Sequence, residues 1–376
     1  MASFLPKHQT TKRTNPLVQK VTDVLAKRIA VISLLPLYHL GGFGVIFTNL
    51  HVCNVRVILL SHFHPITAKE VIEKEAPRVL IGTPYMVQRL LAVASTDLSA
   101  LSSLIGVSFT SAAVSSALLR KVNRELNLLF FMVTYGSTEA GAIANGTCFP
   151  EGKKPLLWSI LLKLLTRAQL LNGLIPFEAF ERNRFSLAGK VDRGVEVRIR
   201  DATTQNELGS GEVGELVVRS YRVMQTSMIQ TSPNQSPAIK EDGWFRTGDL
   251  GYIDHHHHLT ITGRLNRLIS RGGEKISPIE IEDFLLMDED IEDAFVLGVP
   301  DELYGEQLCA CVVAKQGSEI TDHMLRNRLS QRISAFKVPA HILFLPELPL
   351  SSTGKISVVD IRKIAITAIG EVASYA

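Results

Sequence analysis

Between residues 29 and 134 short apolar runs alternate with stretches whose apolar side chains recur at helical spacing. The runs "AVISLLPL", "RVILL", "RVLIGTP", "SLIGVSFT" and "LLFFMVTYG" predict strands. The last is expected to end at Thr134, with Tyr135 and Gly136 in the turn that follows. The intervening "TAKEVIEKEA", "YMVQRLLAVA" and "SSALLRKVNREL" predict helices, the first N-capped by Thr67. Strands separated by helices imply a mostly parallel, helix-covered sheet. From 189 to 261 the spacing changes to strict alternation with glycine turns ("VEVRIRD", "GEVGELVVRS", "HLTITG"), which predicts antiparallel β structure. Residues 268–366 form a further α+β pattern: helix "EIEDFLLM", strands "DAFVLGVP" and "LCACVVAK", and helix "TDHMLRNRLSQRI" with Met324, Leu325, Leu329 and Ile333 apolar.

The segment "PLLWSILLKLLTRAQLLNG" (155–173) places Ser159, Lys163, Thr166 and Arg167 on one helical stripe between Pro155 and Gly173. It fits a packed surface helix, or an interfacial anchor making a peripheral membrane contact. Only two positive charges decorate the polar stripe, which favours the packed helix.

Composition narrows the classes. The 376 residues are 46% hydrophobic and 20% charged, ample for a large core. The formal charge is +3, with Lys and Arg spread along the chain rather than in blocks, so nucleic acid is not implied. No run of 18 uncharged apolar residues suggests a transmembrane span. Cys53, Cys148, Cys309 and Cys311 make no metal-ligand pattern, and Cys309 and Cys311 fall on one face of a strand. A reducing, cytoplasmic setting is the expectation. Residues 1–20 carry Lys7, Lys12, Arg13 and Lys20 and no acid, which leaves a transit peptide open; "SYA" at the C-terminus is no peroxisomal signal. "HHHH" (255–258) reads as a solvated hairpin turn, not a metal site.

Candidate chemistry lies in a few short stretches. In "TYGSTEAG" (134–141) the turn at Tyr135-Gly136 leaves two hydroxyls and a carboxylate at a sheet edge, where open α/β sheets bind ligands. Tyr135 can stack on a purine, Thr138 can donate to a phosphate, and Glu139 is a hard-oxygen ligand suited to Mg²⁺. Alone, the stretch fits an ordinary polar loop equally well. In "DGWFRTGDLGYID" (242–254), Asp249 can accept two hydrogen bonds from a ribose diol, or cap its own turn. Arg264 can neutralise a phosphate or serve the same sugar, and "SSTGKIS" (351–357) presents Lys355 on a small-residue loop.

Taken in order, "YGSTE", "GWFRTGDLGYID", "GRLNRLISRGGEKISPIEIE" and "LPLSSTGK" resemble the adenylate-forming superfamily. Its members include acyl-CoA synthetases (4-coumarate–CoA and oxalate–CoA ligases among them), luciferases and peptide-synthetase adenylation domains. "PLYH" (36–39), "GKVDRGVEVRI" (189–199), "VPDELYGEQ" and "AFKVP" extend the likeness from about residue 30 to 366. The resemblance implies an α/β fold. A large N-terminal domain (1–262), incomplete at its start, would join a parallel helix-covered sheet to an antiparallel subdomain. A hinge (263–267) centred on Asn266 would lead to a small mobile α+β C-terminal domain (268–376). It implies activation of a carboxylic acid by ATP with Mg²⁺, then thioester formation with coenzyme A.

By resemblance, Asp249 and Arg264 hold the ribose of ATP or AMP, Tyr135, Gly136 and Ala112 surround adenine, and Thr138 contacts the α-phosphate. Glu139 binds Mg²⁺, Lys355 reaches the acid and the α-phosphate, and His39 lines the acyl pocket. After rotation, Gly272 and Gly273 leave room for a pantetheine arm. The sequence departs from the family in places. Asn266 replaces the usual Asp or Lys, and "TSAAV" (110–114) stands for Gly-Gly-Ala-Pro. "LPK" (5–7) looks like the tail of the phosphate loop, with Lys7 its lysine, but the glycines and hydroxyls before it are missing. That departure implies a truncated chain, a partial gene model or a degenerate paralogue, and raises the alternative of a non-catalytic AMP or acyl-adenylate binder; an enzyme that loads a carrier protein is a separate alternative.

Overall fold

A computed structural model describes residues 30–47, 55–150, 174–175, 186–224, 243–351 and 355–374. Lys7 and the 155–173 segment lie outside the described residues. The first half alternates strand and helix: β1 (Ala30–Ser33), α1 (Leu40–Phe47), β2 (Arg56–Leu59), α2 (Pro65–Glu75), β3 (Val79–Gly82), α3 (Pro84–Ala94), β4 (Gly106–Thr110), α4 (Ser116–Glu125) and β5 (Phe130–Ser137). The five strands run parallel in the order β2-β1-β3-β4-β5. Phe109 and Phe131 are fully buried in the core beneath the helices, each contributing about 1.5–3 kcal/mol of burial.

Helix starts depend on local chemistry. Thr83 accepts from the Met86 amide at the head of α3, and Ser115 accepts from Leu118 at the head of α4. Thr67 does not cap α2. That helix starts two residues earlier, at Pro65, because proline's fixed φ suits the first helical position, and extended His64 precedes it.

The sheet continues through β6 (Gly141–Cys148), β7 (Leu174–Ile175), β8 (Ser186–Val191), β9 (Val195–Arg200), β10 (Gly214–Ser220), β11 (Phe245–Ile253) and β12 (His258–Arg264). Among the described residues it has 12 strands, and after β5 the main path runs β6-β8-β12-β11-β10-β9, all antiparallel. The predicted turn at Tyr135-Gly136 is therefore a strand, and the chain reverses only between Ser137 and Gly141. Glycine makes this reversal: the register shifts at Tyr135/Gly136, and a Cβ on Gly136 would overlap the Gly141 carbonyl oxygen.

Beyond a short helical turn, Leu265–Arg267, a second sheet begins. It contains β13 (Ile269–Arg271), β14 (Glu274–Ile276), β15 (Ile291–Asp301), β16 (Gly305–Ala314) and β17 (His341–Phe344). The helices α5 (Pro278–Leu286), α6 (Asp322–Ser330) and α7 (Val358–Ser374) accompany it. Alternate residues of β15 and β16 feed two cores. Ala294, Val296, Leu308, Ala310 and Val312 face one, while Phe295, Leu297, Cys309 and Cys311 face the other. Both cysteines are fully buried on that shared face. Leu325, Leu329 and Ile333 are buried as expected, but Met324 points outward. The histidine run divides: His255, His256 and His257 are exposed, whereas His258 turns inward against Asp254.

The two sheets touch. The Arg89 guanidinium on α3 pairs with Glu292 at 2.8 Å, and the Gln88 amide donates to the Glu292 carbonyl. Ser277 donates to the Thr262 carbonyl at 2.8 Å.

Candidate active site

A cleft of about 1070 Å³ opens where the carboxyl ends of the parallel strands, the β11–β12 hairpin and the second sheet's helices meet. That volume suits a ligand of drug size or larger. His39, Ala112, Tyr135, Gly136, Thr138, Glu139, Asp249, Arg264 and Lys355 all line it.

Asp249 is set by strand pairing. It lies within β11, directly opposite Arg264 of β12, so both side chains leave the same face. The Arg264 Nε donates to Asp249 Oδ1, and the Tyr135 hydroxyl donates to Oδ2 at 2.6 Å. β5 and β11 are four strand steps apart, roughly 19 Å in a flat sheet at about 4.8 Å per step. A tyrosine closes that gap only because the sheet curls around a core of Ile143, Ala188, Leu216 and Leu259. Thr247 supports the acid from below, accepting from the Asp249 amide at 3.0 Å while donating to the Leu216 carbonyl at 2.9 Å. Burial, then the adjacent Asp249 charge, push the Tyr135 hydroxyl well above the ordinary phenol range, so it stays protonated. Burial works against the Arg264 charge, but the Asp249 hydrogen bond and charge outweigh it.

Thr138 and Glu139 project from the β5–β6 turn, both exposed to the cleft. The turn is anchored by Met224, whose amide donates to the Glu139 carbonyl at 2.8 Å. Lys355 arrives from the other sheet on a tight bridge, its carbonyl accepting from the Ser351 amide at 2.7 Å. Burial, then the Arg264 charge, lower its pKa, while Asp249 and Glu139 oppose the shift. His39 is lowered too, first by burial and then by Lys355. Its Nδ1 accepts from the Gly41 amide at 3.0 Å, which puts the proton of the neutral ring on Nε2.

Three predicted residues do not join this cleft. Gly272 and Gly273 form the β13–β14 turn, with φ of 56° and 90°, and the Gly272 amide is bound to the Tyr304 carbonyl. Asn266 sits exposed on the turn between the sheets. Other residues entered the cleft unannounced. Arg267 stacks 4.3 Å over Phe295 and donates to Glu282 and the Val296 carbonyl. Asp283, on α5, is buried, and burial followed by the Glu282 charge raises its carboxyl to about 8. Ser111, just past β4, holds a left-handed φ of 69° in the "TSAAV" stretch, a conformation that favours glycine. That stretch was visible in the sequence as a departure; Arg267 and Asp283 carried no local signal.

Comparison with known proteins gives the frame. The family model described as AMP-binding enzyme matches residues 8–227, and that of the AMP-binding enzyme C-terminal domain matches 280–355. The chain belongs to the AMP-binding enzyme family. The mitochondrial medium-chain acyl-CoA ligase ACSF2 of Mus musculus is 29% identical over 347 residues, 92% of this chain and 51% of that protein. The oxalate–CoA ligase of Saccharomyces cerevisiae is 40% identical over 164 residues, 44% of this chain and 30% of that protein. The chain thus spans about half the length, or less, of these curated relatives.

Among solved structures, ATP-bound MatB from Rhodopseudomonas palustris superposes with a TM-score of 0.71 at 24% identity, covering 93% of this chain and 63% of that one. The amide bond synthetase McbA from Marinactinospora thermotolerans gives 0.67 at 25% identity, covering 93% and 64%. The mixed α/β fold of these structures is that of the present chain.

Proposed function

We propose that the chain carries the site of an ATP-dependent acid–CoA ligase. In this reading a carboxylic acid is joined to AMP and then transferred to coenzyme A. One observation carries it: Asp249, Glu139, His39 and Lys355, spread over more than three hundred residues of sequence, line a single cleft. Asp249 with Arg264 receives the ribose hydroxyls, and Tyr135, Gly136 and Ala112 surround adenine. Thr138 donates to the α-phosphate. His39, neutral and anchored at Nδ1, lines the acyl pocket.

The acid carboxylate is already ionised, so its attack on the α-phosphorus needs no general base. A new O–P bond forms as the bond to pyrophosphate breaks. Lys355 neutralises charge on both the acid and the α-phosphate, a stabilisation that grows as the bonds exchange. Glu139 is a single exposed carboxylate, and no cluster of three metal-binding groups occurs among the described residues. That suits Mg²⁺, which takes one or two carboxylates and completes its shell with phosphate and water. When bound there, the ion would neutralise phosphate charge. In the second step the coenzyme A thiolate attacks the acyl carbonyl and AMP leaves. Rotation about Asn266 would bring Gly272 and Gly273 to the cleft for that step.

Pyrophosphate release with ATP, Mg²⁺ and a panel of carboxylic acids tests the proposal, with Lys355→Ala as the control that slows release about 10²–10³-fold. A second reading, nucleotide binding without turnover, is favoured by "TSAAV" (110–114) standing where the family has Gly-Gly-Ala-Pro. Calorimetry separates the two: the second reading predicts AMP binding with no preference for ATP and no pyrophosphate from any acid.

A further inference from the structure

The carboxylate that would grip ribose is already in use. The Asp249 side chain is only 7% exposed, with Tyr135 on Oδ2 and Arg264 on Oδ1. Each oxygen can accept two hydrogen bonds, but with so little of the side chain exposed the seated donors cover the approach a ribose diol would take to both. Asp249 cannot retreat from its partners, because its amide is pinned to Thr247 and its backbone is paired across β12. Accommodation therefore falls to the two donors.

Their freedom differs. The Arg264 side chain is 53% exposed and can swing toward solvent. The Tyr135 ring packs against the core inside the curl, with its hydroxyl end on the cleft. A phenolic O–H nonetheless turns about its C–O bond, so it can release the carboxylate with little ring movement and accept a hydrogen bond instead.

We propose that the Tyr135 hydroxyl is a built-in stand-in for a nucleotide ribose hydroxyl: it satisfies Oδ2 of Asp249 and surrenders that oxygen when a ribose diol arrives. The hydroxyl thus keeps a buried charge partnered between turnovers, and it competes with nucleotide for the same acceptor. Its raised pKa keeps it a donor throughout the neutral range. This inference rests on the nucleotide reading above but differs from it in sign. A residue that only stacks on adenine would gain nothing from losing its hydroxyl.

The test is calorimetry of AMP and 2′,3′-dideoxy-AMP against the full chain and Tyr135→Phe, which keeps the ring. AMP should bind about tenfold more tightly to Tyr135→Phe, since one hydrogen bond to a charged group no longer has to be broken. The dideoxy nucleotide should change less than about twofold, because it never competes for Asp249. In an Asp249→Asn background the gain should vanish. Thermal unfolding supplies a second readout: Tyr135→Phe should melt lower when empty and recover more with AMP than the parent does. If the parent binds AMP and Tyr135→Phe binds it equally or less tightly, the stand-in role is wrong and the nucleotide reading survives. A gain that persists without Asp249, or appears equally for the dideoxy nucleotide, overturns it too. If neither folded protein binds AMP, the nucleotide reading fails and takes this inference with it.

Discussion

Asp249 shows how much a single position can carry. It lies in a strand, supported by Thr247 and flanked by Tyr135 and Arg264. Asp249→Ala should weaken AMP binding about 100-fold or more, since two hydrogen bonds to an ionised acceptor are lost at about 1.5–3 kcal/mol each. Calorimetry on the folded variant checks it, and a change under about fivefold would remove Asp249 from the ribose site. Lys355 should behave differently. Lys355→Ala should slow adenylate formation about 10²–10³-fold with AMP affinity nearly unchanged, because its contribution is to the reacting centre. Burial lowers the Lys355 pKa, so its charge is lost earlier than an ordinary lysine's as pH rises. Adenylate formation should accordingly fall on the alkaline side, and Lys355→Arg, which stays charged, should shift or erase that limb in a pH–rate profile. Asp249 and Lys355 themselves were legible in the sequence, because their motifs resemble those of the family. Their hydrogen-bond partners were not.

At the scale of elements, the β5–β6 hairpin controls the site's geometry. Local periodicity ended the strand at Thr134, but tertiary pairing extends it to Ser137 and brings Tyr135 into the sheet. Gly136 permits this, as its missing side chain leaves room for the Gly141 carbonyl. Gly136→Ala should therefore cost about 1–3 kcal/mol, the usual range for overpacking, read as a lower urea midpoint. An unchanged midpoint would mean that the hairpin is not held as described. The α2 start illustrates the same competition at smaller scale: a threonine suited to capping lost to a proline suited to the first helical position.

For the molecule as a whole, the meeting of the two sheets has its own chemistry. Asp283 is buried on α5, opposite Arg120 of α4, and its carboxyl is raised from 3.8 to about 8. Between those values the folded state keeps a proton that the unfolded chain has released. This contribution to stability is complete below pH 3.8 and is lost as pH rises through about 8. Melting should decline across that window by up to about 1.4 kcal/mol per pH unit, and Asp283→Asn should remove most of the decline. An identical pH profile for the variant would contradict this. Alternating strands and helices, the change to period-two spacing near residue 189 and the ordered motifs were all readable from the chain, because each depends on neighbours a few residues away. The curl that carries Tyr135 to Asp249, the partnering of both carboxylate oxygens, the arrival of Lys355 beside His39 and the burial of Asp283 were not. Each depends on contacts between residues far apart in sequence, and local spacing carries no record of how the large sheet bends.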